Sequence, residues 1–306
     1  MIKVLVLGSD GYIGTALSAF LKRKGVDVTG VDIGWFGKAK DTLESDYKTL
    51  SRRYLSWFDT IVVLSAHSSV GMCKCSFTSA FNNNVRNHNS LLAKIDGLPK
   101  RIKVIYASSS SVYGDTFGEV VTETHNTAFY PHNNYDITKY MTDLSSPQYD
   151  VEYYGMRFGT VNGYSPVMRD DIMINAMVTA AKETGRIRLF SGGTLRPILG
   201  INDLCRALYK VIVCEKDNRG IYNLASFNST SEKIADEVGK VMKVEVVKEE
   251  DEANASSYSF AISTEKFEKT FSFEFKEDFT SIVKGIVDNY DTIQRTARKE
   301  PLEYEL

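Results

Sequence analysis

Tyr135 and Lys139 stand four residues apart in the stretch YDITK. On a helix that spacing puts a phenol and an ammonium on one face, one above the other. A cation so placed favours the ionised phenol and can turn it into a proton carrier. The serine run at 108–111 adds a cluster of hydroxyls, each able to donate and to accept a hydrogen bond. Gly8, Gly11 and Gly14 in GSDGYIG have the spacing of a phosphate-receiving turn. In such a turn one glycine bends the chain tightly, one lets the backbone approach a pyrophosphate, and one lets a helix pack closely on a strand. With 17 tyrosines in 306 residues, a tyrosine–lysine pair at this spacing also arises by chance, so its meaning depends on the elements that carry it.

Those elements read as follows. Residues 2–7 (IKVLVL) form a short apolar run bounded by glycine, the pattern of a buried parallel strand. Ile13, Leu17, Phe20 and Leu21 then recur at helical spacing, and Gly25 sits where a helix stops. Residues 26–32 (VDVTGVD) give a second strand closed by Asp32, where a carboxylate accepts hydrogen bonds from a ribose 2'-hydroxyl and repels a 2'-phosphate. The unit therefore favours NAD over NADP. Further strands at 61–64 and 102–107, with helical patterns between them, make a Rossmann-type doubly wound α/β sheet. Ligands of such sheets bind beyond the carboxyl ends of the strands, so residues 65–67 and 108–111 should face the cofactor crevice. The expected cofactor contacts are Gly8, Gly11, Tyr12, Ile13, Gly14, Asp32, Leu64, Ser65 and Ala66, with Asp46 as a candidate for the adenine end.

Composition narrows the function classes. An apolar fraction of 43%, a charged fraction of 25% and a formal charge of -2 are ordinary for a globular protein and give no electrostatic reason to expect nucleic acid or an anionic membrane. No stretch approaches 18 apolar residues, and the N-terminus runs into strand-like sequence without a signal-peptide pattern, so the expected location is the cytoplasm. Cys73, Cys75, Cys205 and Cys214 form no C-x-x-C, and only His67, His88, His125 and His132 could complete a metal site. Reduced thiols filling apolar space are expected, and no metal.

Taken in order, the glycine turn at 8–14, Asp32, YASSSSVYG at 106–114 and YDITK at 135–139 resemble the extended short-chain dehydrogenase/reductase superfamily, and within it the NAD-dependent nucleotide-sugar epimerases and dehydratases. The segments MRFGTVNGYSP and LRPILGINDL resemble that family's substrate-side motifs, so the likeness covers about residues 1–225. It implies that Tyr135 is the catalytic acid/base and that Lys139 is its helper, which also binds the nicotinamide ribose. Ser109 takes the place of the active-site Ser or Thr that holds the sugar hydroxyl, with Ser110 and Ser111 beside the substrate. Asn84 in FNNNVRNHNSLL stands where the family has its inner-helix asparagine. Asn175 lies at the place of a substrate-phosphate asparagine, and Arg196 resembles the arginine that pairs with the pyrophosphate of a nucleotide-diphosphate sugar. Arg169 and Arg188 are secondary candidates.

A free tyrosine titrates near 10, so acting as a base near pH 7 requires roughly 4 kcal/mol of help. One ammonium ~5 Å away at an effective dielectric near 20 supplies roughly 3 kcal/mol, and the positive nicotinamide ring supplies the remainder.

The resemblance implies a hydride taken from a sugar carbon while the tyrosinate takes the hydroxyl proton, leaving a 4-keto sugar. A 4,6-dehydratase also needs an acid and a base to expel water, and in the family these acidic residues follow the active-site Ser or Thr. Here those positions are Ser110 and Ser111, whose hydroxyls cannot do the proton work of a tuned carboxyl. The expected activity is therefore an NAD-dependent nucleotide-sugar epimerase, acting at C4 through a transient 4-keto intermediate. Alternatives are a dehydratase or keto-sugar reductase of the same family, and a non-catalytic NAD-binding regulatory or scaffold protein.

The expected organisation is a Rossmann domain over 1–165, with later strands returning from about 197–225, and a smaller α/β part over 166–306 that mainly binds substrate. Pro147 limits the helix after Lys139 to a turn or two. In the family that helix is longer and helps form the homodimer that the resemblance implies. VNGY carries Asn162 where the family has tyrosine. Ser231 is expected to cap a helix ending near Met242, before a short strand, a solvated acidic loop at 249–252, a last amphipathic helix and a charged, disordered tail.

Overall fold

Val4, Leu5, Val6 and Leu7 are all completely shielded from solvent, as residues of a strand covered on both faces must be. They lie at the centre of a computed structural model that describes residues 1–35, 37, 39–125, 133–190, 192–249 and 259–295. The chain begins β1 (Lys3–Leu7), α1 (Tyr12–Arg23), β2 (Asp27–Asp32), β3 (Thr42–Glu44), α2 (Arg52–Leu55) and β4 (Thr60–Val63). Helices α3 (Val70–Lys74), α4 (Phe77–Phe81) and α5 (Asn87–Ile95) follow, with a π-helical turn, Asn82–Arg86, before α5, and then β5 (Lys103–Ser109). Next come β6 (Val120–Val121), α6 (Asn134–Ser145), β7 (Glu152–Phe158), β8 (Thr160–Asn162), β9 (Val167–Met168) and α7 (Met173–Thr184). The rest comprises β10 (Arg186–Phe190), β11 (Leu195–Gly200), α8 (Ile201–Val213), β12 (Gly220–Leu224), β13 (Phe227–Thr230), α9 (Ser231–Met242), β14 (Glu245–Glu249), β15 (Ala261–Ile262), α10 (Glu265–Phe271), α11 (Phe279–Asp288) and β16 (Gln294–Arg295).

Seven strands pair in the order β12-β7-β5-β4-β1-β2-β3, every neighbour parallel. The order reverses between β1 and β4, which opens a crevice at their carboxyl ends. Alternate residues feed opposite layers, as the two-residue repeat of a strand requires. Val4, Val6, Val62 and Ile105 pack with α1, α7, α8 and α11 through Leu17, Val178, Leu204 and Ile282. Leu5, Leu7, Ile61 and Val104 pack with α2 and α5 through Leu55, Leu91 and Leu92. The first layer thus joins the sheet to helices far beyond residue 166 in one continuous core.

Two sequence-based expectations change. Of the strands expected to return over 197–225, only β12 enters the central sheet; β11 pairs with β8 and β13 in a separate three-stranded sheet. Gly159 marks the departure, because a Cβ there would meet Pro197 O at 2.9 Å, and beyond it β8 leaves the line of β7 to pair with β11. The cap of α9 is Thr230, whose hydroxyl accepts from Lys233 N, one residue before the expected Ser231. Residues 250–252 of the acidic loop, the tail from 296, and His132 lie outside the described residues.

Helix α6 carries Tyr135 and Lys139. Asn133 caps it, its side-chain oxygen accepting from Asp136 N at 3.0 Å. The helix ends at Ser145 and passes into a 3-10 turn, Ser146–Gln148, that contains Pro147. Its far end is fixed by charge. Asp143 accepts from Arg157 Nε at 2.8 Å, both side chains nearly sealed from water, and the Arg157 Nη1 donates to Tyr113 Oη at 2.8 Å. Tyr113 in turn donates to Asn223 at 2.8 Å, so one arginine ties α6 to β7 and β12. Removing one partner of a buried pair strands the other charge, at about 3–5 kcal/mol. Arg157→Met should therefore lower the stability measured by urea denaturation by that amount, whereas Arg157→Met combined with Asp143→Leu should recover most of the loss.

Candidate active site

The crevice at the strand-order reversal is a cleft of about 840 Å³. Its floor is the turn between β1 and α1. Gly8 has φ +84, a left-handed conformation that favours glycine, and a Cβ there would meet Ser65 N at 2.8 Å. A Cβ on Gly14 would come within 2.0 Å of Gly8 O, so α1 packs on the turn only because residue 14 has no side chain. Gly11 precedes the helix without any side-chain cap, which leaves the first-turn amides of α1 available to phosphate oxygens. Gly8, Gly11, Tyr12, Ile13, Gly14, Leu64, Ser65 and Ala66 all line the cleft.

At the far end of β2, Asp32 Oδ1 accepts from Gly34 N at 2.9 Å and Oδ2 from Asp10 N at 3.1 Å. Burial pushes its carboxyl above the ordinary range, against the pull of those amides. Asp46 also lines the cleft, where it caps the turn Tyr47–Thr49 and pairs with Lys48 at 2.9 Å. A glycine cradle with no room for a Cβ, an uncapped helix start and a strand-end carboxylate together fit a dinucleotide. Among the described residues no group of three or more His, Cys, Asp or Glu side chains could hold a metal, and no helix is long and apolar enough to cross a membrane.

On the opposite wall stand Ser109, Ser110 and Ser111 at the end of β5, with Tyr135 and Lys139 on α6. The i, i+4 spacing holds: the Lys139 ammonium lies 5.7 Å from the Tyr135 ring centroid. Its Nζ donates at 2.7 Å to Ala107 O, which fixes it beneath the cleft. Burial pulls the Lys139 ammonium down to about 8 and pushes the Tyr135 phenol up to about 12, a hydrogen bond with Ser109 and the charge of Arg169 opposing the latter. The expectation that Lys139 draws the phenol down thus meets an opposing effect, since desolvation is the largest influence on each group and disfavours the charged form of both. Within the chain alone the phenol is an acid, and making it a base requires further positive charge.

Three expected contacts lie away from the cleft lining. Asn84 sits within the π-helical turn, its amide oxygen accepting from His67 N at 2.7 Å and its nitrogen donating to His67 O and to Thr138 Oγ1. It shapes the loop after β4 from behind. Asn175, wholly buried, accepts from Gly163 N at 2.9 Å and donates to Tyr12 Oη and Arg169 O, which commits its amide to the protein. Arg196 lies over the Phe260 ring, 5.5 Å from its centroid, and donates to Leu195 O; Phe260 rather than Arg196 lines the cleft. Asn162 points inward, accepting from Ile174 N at 2.9 Å.

Other lining residues were weakly marked in the sequence. Arg169 is in the cleft, its guanidinium held by both oxygens of Asp171 and by Ser68 O. Its charge reaches both Tyr135 and Tyr12. In the sequence it stood only as a secondary candidate beside Arg188. Arg188, on β10, is exposed and paired with Glu249. Trp35, Asn83 and Asn87 also line the cleft, and no spacing rule singles them out.

Two outcomes follow from this geometry. Gly14→Ala should destabilise the fold by about 3 kcal/mol, since the added methyl meets backbone, and should abolish NAD binding by calorimetry. Lys139 is cationic below about pH 8 and neutral above it, so kcat/KM should decline on the alkaline side with an apparent pKa near 8. In Lys139→Met, activity should be low and that alkaline limb absent.

The chain is 25% identical to a UDP-glucose 4-epimerase of Mycoplasma genitalium, with 75% of this chain and 78% of the relative covered. Its fold matches a UDP-glucuronic acid 4-epimerase from Bacillus cereus in complex with UDP-glucuronic acid and NAD, at 20% identity and a TM-score of 0.82, covering 95% of this chain and 99% of that one. It also matches a dTDP-glucose 4,6-dehydratase from Bacillus anthracis in complex with NAD, at 18% identity and a TM-score of 0.78, covering 96% and 99%. Residues 4–225 match the model of the NAD dependent epimerase/dehydratase family; the chain belongs to that family and uses NAD.

Proposed function

We propose that this protein is a nucleotide-sugar epimerase that inverts C4 through a transient 4-keto sugar. The observation that carries the reading is the grouping of Tyr135, Lys139 and Ser109 on one wall of the cleft, with hydroxyls where elimination would require carboxyls. Ser110 is spent on Phe158 O at 2.8 Å, and Ser111 donates to Asp136, so neither position offers a proton donor of carboxyl strength to the cleft. Both curated and structural relatives include 4-epimerases of UDP-sugars, which supports the same substrate class.

When bound, NAD supplies a reversible hydride acceptor. The chain's residues do the rest. Ser109 holds the reacting C4 hydroxyl beside Tyr135. The phenolate oxygen takes the hydroxyl proton as the carbon-bound hydrogen leaves with its electron pair. Lys139, fixed by Ala107 O, supplies positive charge beneath the phenol and a donor toward the nicotinamide ribose. The ketone turns over in the cleft, and Tyr135 returns its proton to the same oxygen. Gly8, Gly11, Gly14 and Asp32 bind and orient the dinucleotide, and Arg169 provides cationic charge at the substrate side.

A panel of UDP- and dTDP-sugars incubated with the enzyme in deuterated water, with products read by NMR, tests this. Inversion at C4 without solvent deuterium is expected. Deuterium beside a ketone would indicate 3- or 5-epimerisation, and loss of water would indicate a dehydratase. Absence of any product or cofactor reduction would favour an NAD-binding regulatory protein. Tyr135→Phe should reduce turnover by about 10²–10⁴-fold while NAD still binds.

A further inference from the structure

A second carboxylate stands behind Asp32, and no step of the reaction above uses it. Asp10 lies within the glycine turn and is only 5% exposed. Its Oδ1 accepts from Thr42 Oγ1 at 2.6 Å and from Ser9 Oγ at 3.2 Å, and its Oδ2 accepts from Ala39 N at 3.0 Å. Gly30 on β2 leaves room for this cage, since a Cβ there would meet Ser9 Oγ at 2.6 Å. All three donors are neutral, so they occupy the carboxylate's lone pairs without cancelling its charge.

Asp10 and Asp32 are joined directly. The Asp10 amide donates to Asp32 Oδ2 at 3.1 Å, while Gly34 N donates to Oδ1 at 2.9 Å. Burial pushes the Asp32 carboxyl up, and the charge of Asp10 pushes it in the same direction. The two backbone amides converge on one place, a setting that suits any anion. In this chain Asp32 fills it. Were that side chain shortened, both amides would be free to receive the 2'-phosphate of NADP, a group carrying roughly two negative charges at neutral pH. Asp10 would still set a buried negative charge beside them, and like charges at short range in a partly desolvated place repel strongly.

We propose that Asp10 is a specificity-determining residue for the dinucleotide: it is a second carboxylate that excludes a 2'-phosphate, so that the choice of NAD over NADP depends on Asp10 and Asp32 together and not on Asp32 alone. The hydrogen bonds from Ala39 and Thr42 keep that charge fixed behind the strand end. A residue that only braced the turn would act on NAD and NADP equally, whereas a repulsive charge acts on their ratio. The inference rests on dinucleotide binding and not on the proposed epimerisation, so its test requires no turnover.

Dissociation constants for NAD and NADP, measured by calorimetry on the full chain, test it through their ratio. Asp32→Ser should still bind NAD at least about tenfold more tightly than NADP. Adding Asp10→Asn should move the ratio at least about tenfold further toward NADP, and Asp10→Asn alone should move it in the same direction. Asp10→Glu keeps the charge and should keep the ratio close to that of the unaltered protein, even where both affinities fall. If Asp10→Asn changes both affinities by the same factor, Asp10 only braces the turn and the proposal is overturned. If Asp32→Ser alone binds NADP as tightly as NAD, it is overturned equally, and that variant decides the matter should Asp10→Asn fail to fold.

Discussion

Burial of a phenol and an ammonium on one helix face is the constraint around which the site is arranged. Each group loses water on burial, and that loss dominates: Tyr135 is held up and Lys139 is held down. The surrounding structure limits that cost by giving the ammonium the Ala107 carbonyl and the phenol the Ser109 hydroxyl. Helix α6 can impose this arrangement because its two ends are fixed by different forces, a side-chain cap at Asn133 and a sealed ion pair at Asp143.

The dinucleotide half was legible in the sequence because its determinants are local. A glycine turn between a β-branched run and an amphipathic helix, followed by a carboxylate at the next strand end, states its geometry within about thirty residues, and the structure places Gly8, Gly11, Gly14 and Asp32 in one cleft. The Tyr135–Lys139 pair was legible for the same reason, since helical spacing alone sets it.

Asn84, Asn175 and Arg196 were less so. Each was assigned by resemblance, yet each has its polar atoms directed by residues distant in sequence: Asn84 by His67 and Thr138, Asn175 by Tyr12 and Gly163, Arg196 by Phe260. No periodicity records such partners. Arg169 and Asp136 illustrate the converse. One reads as an ordinary surface charge and the other as an ordinary first-turn acid, and only the tertiary fold puts the former in the cleft and the latter behind the serines.

Tyr12 joins the two halves of the molecule. Its hydroxyl donates to Gly163 O at 2.8 Å and accepts from Asn175, while its own carbonyl accepts from Ser165 Oγ at 2.7 Å. Asn175 also grips the carbonyl of Arg169. The residue that opens the first helix thereby pins the segment bearing the cleft's arginine, so the glycine turn at one end of the cleft and that guanidinium at the other share one mechanical linkage.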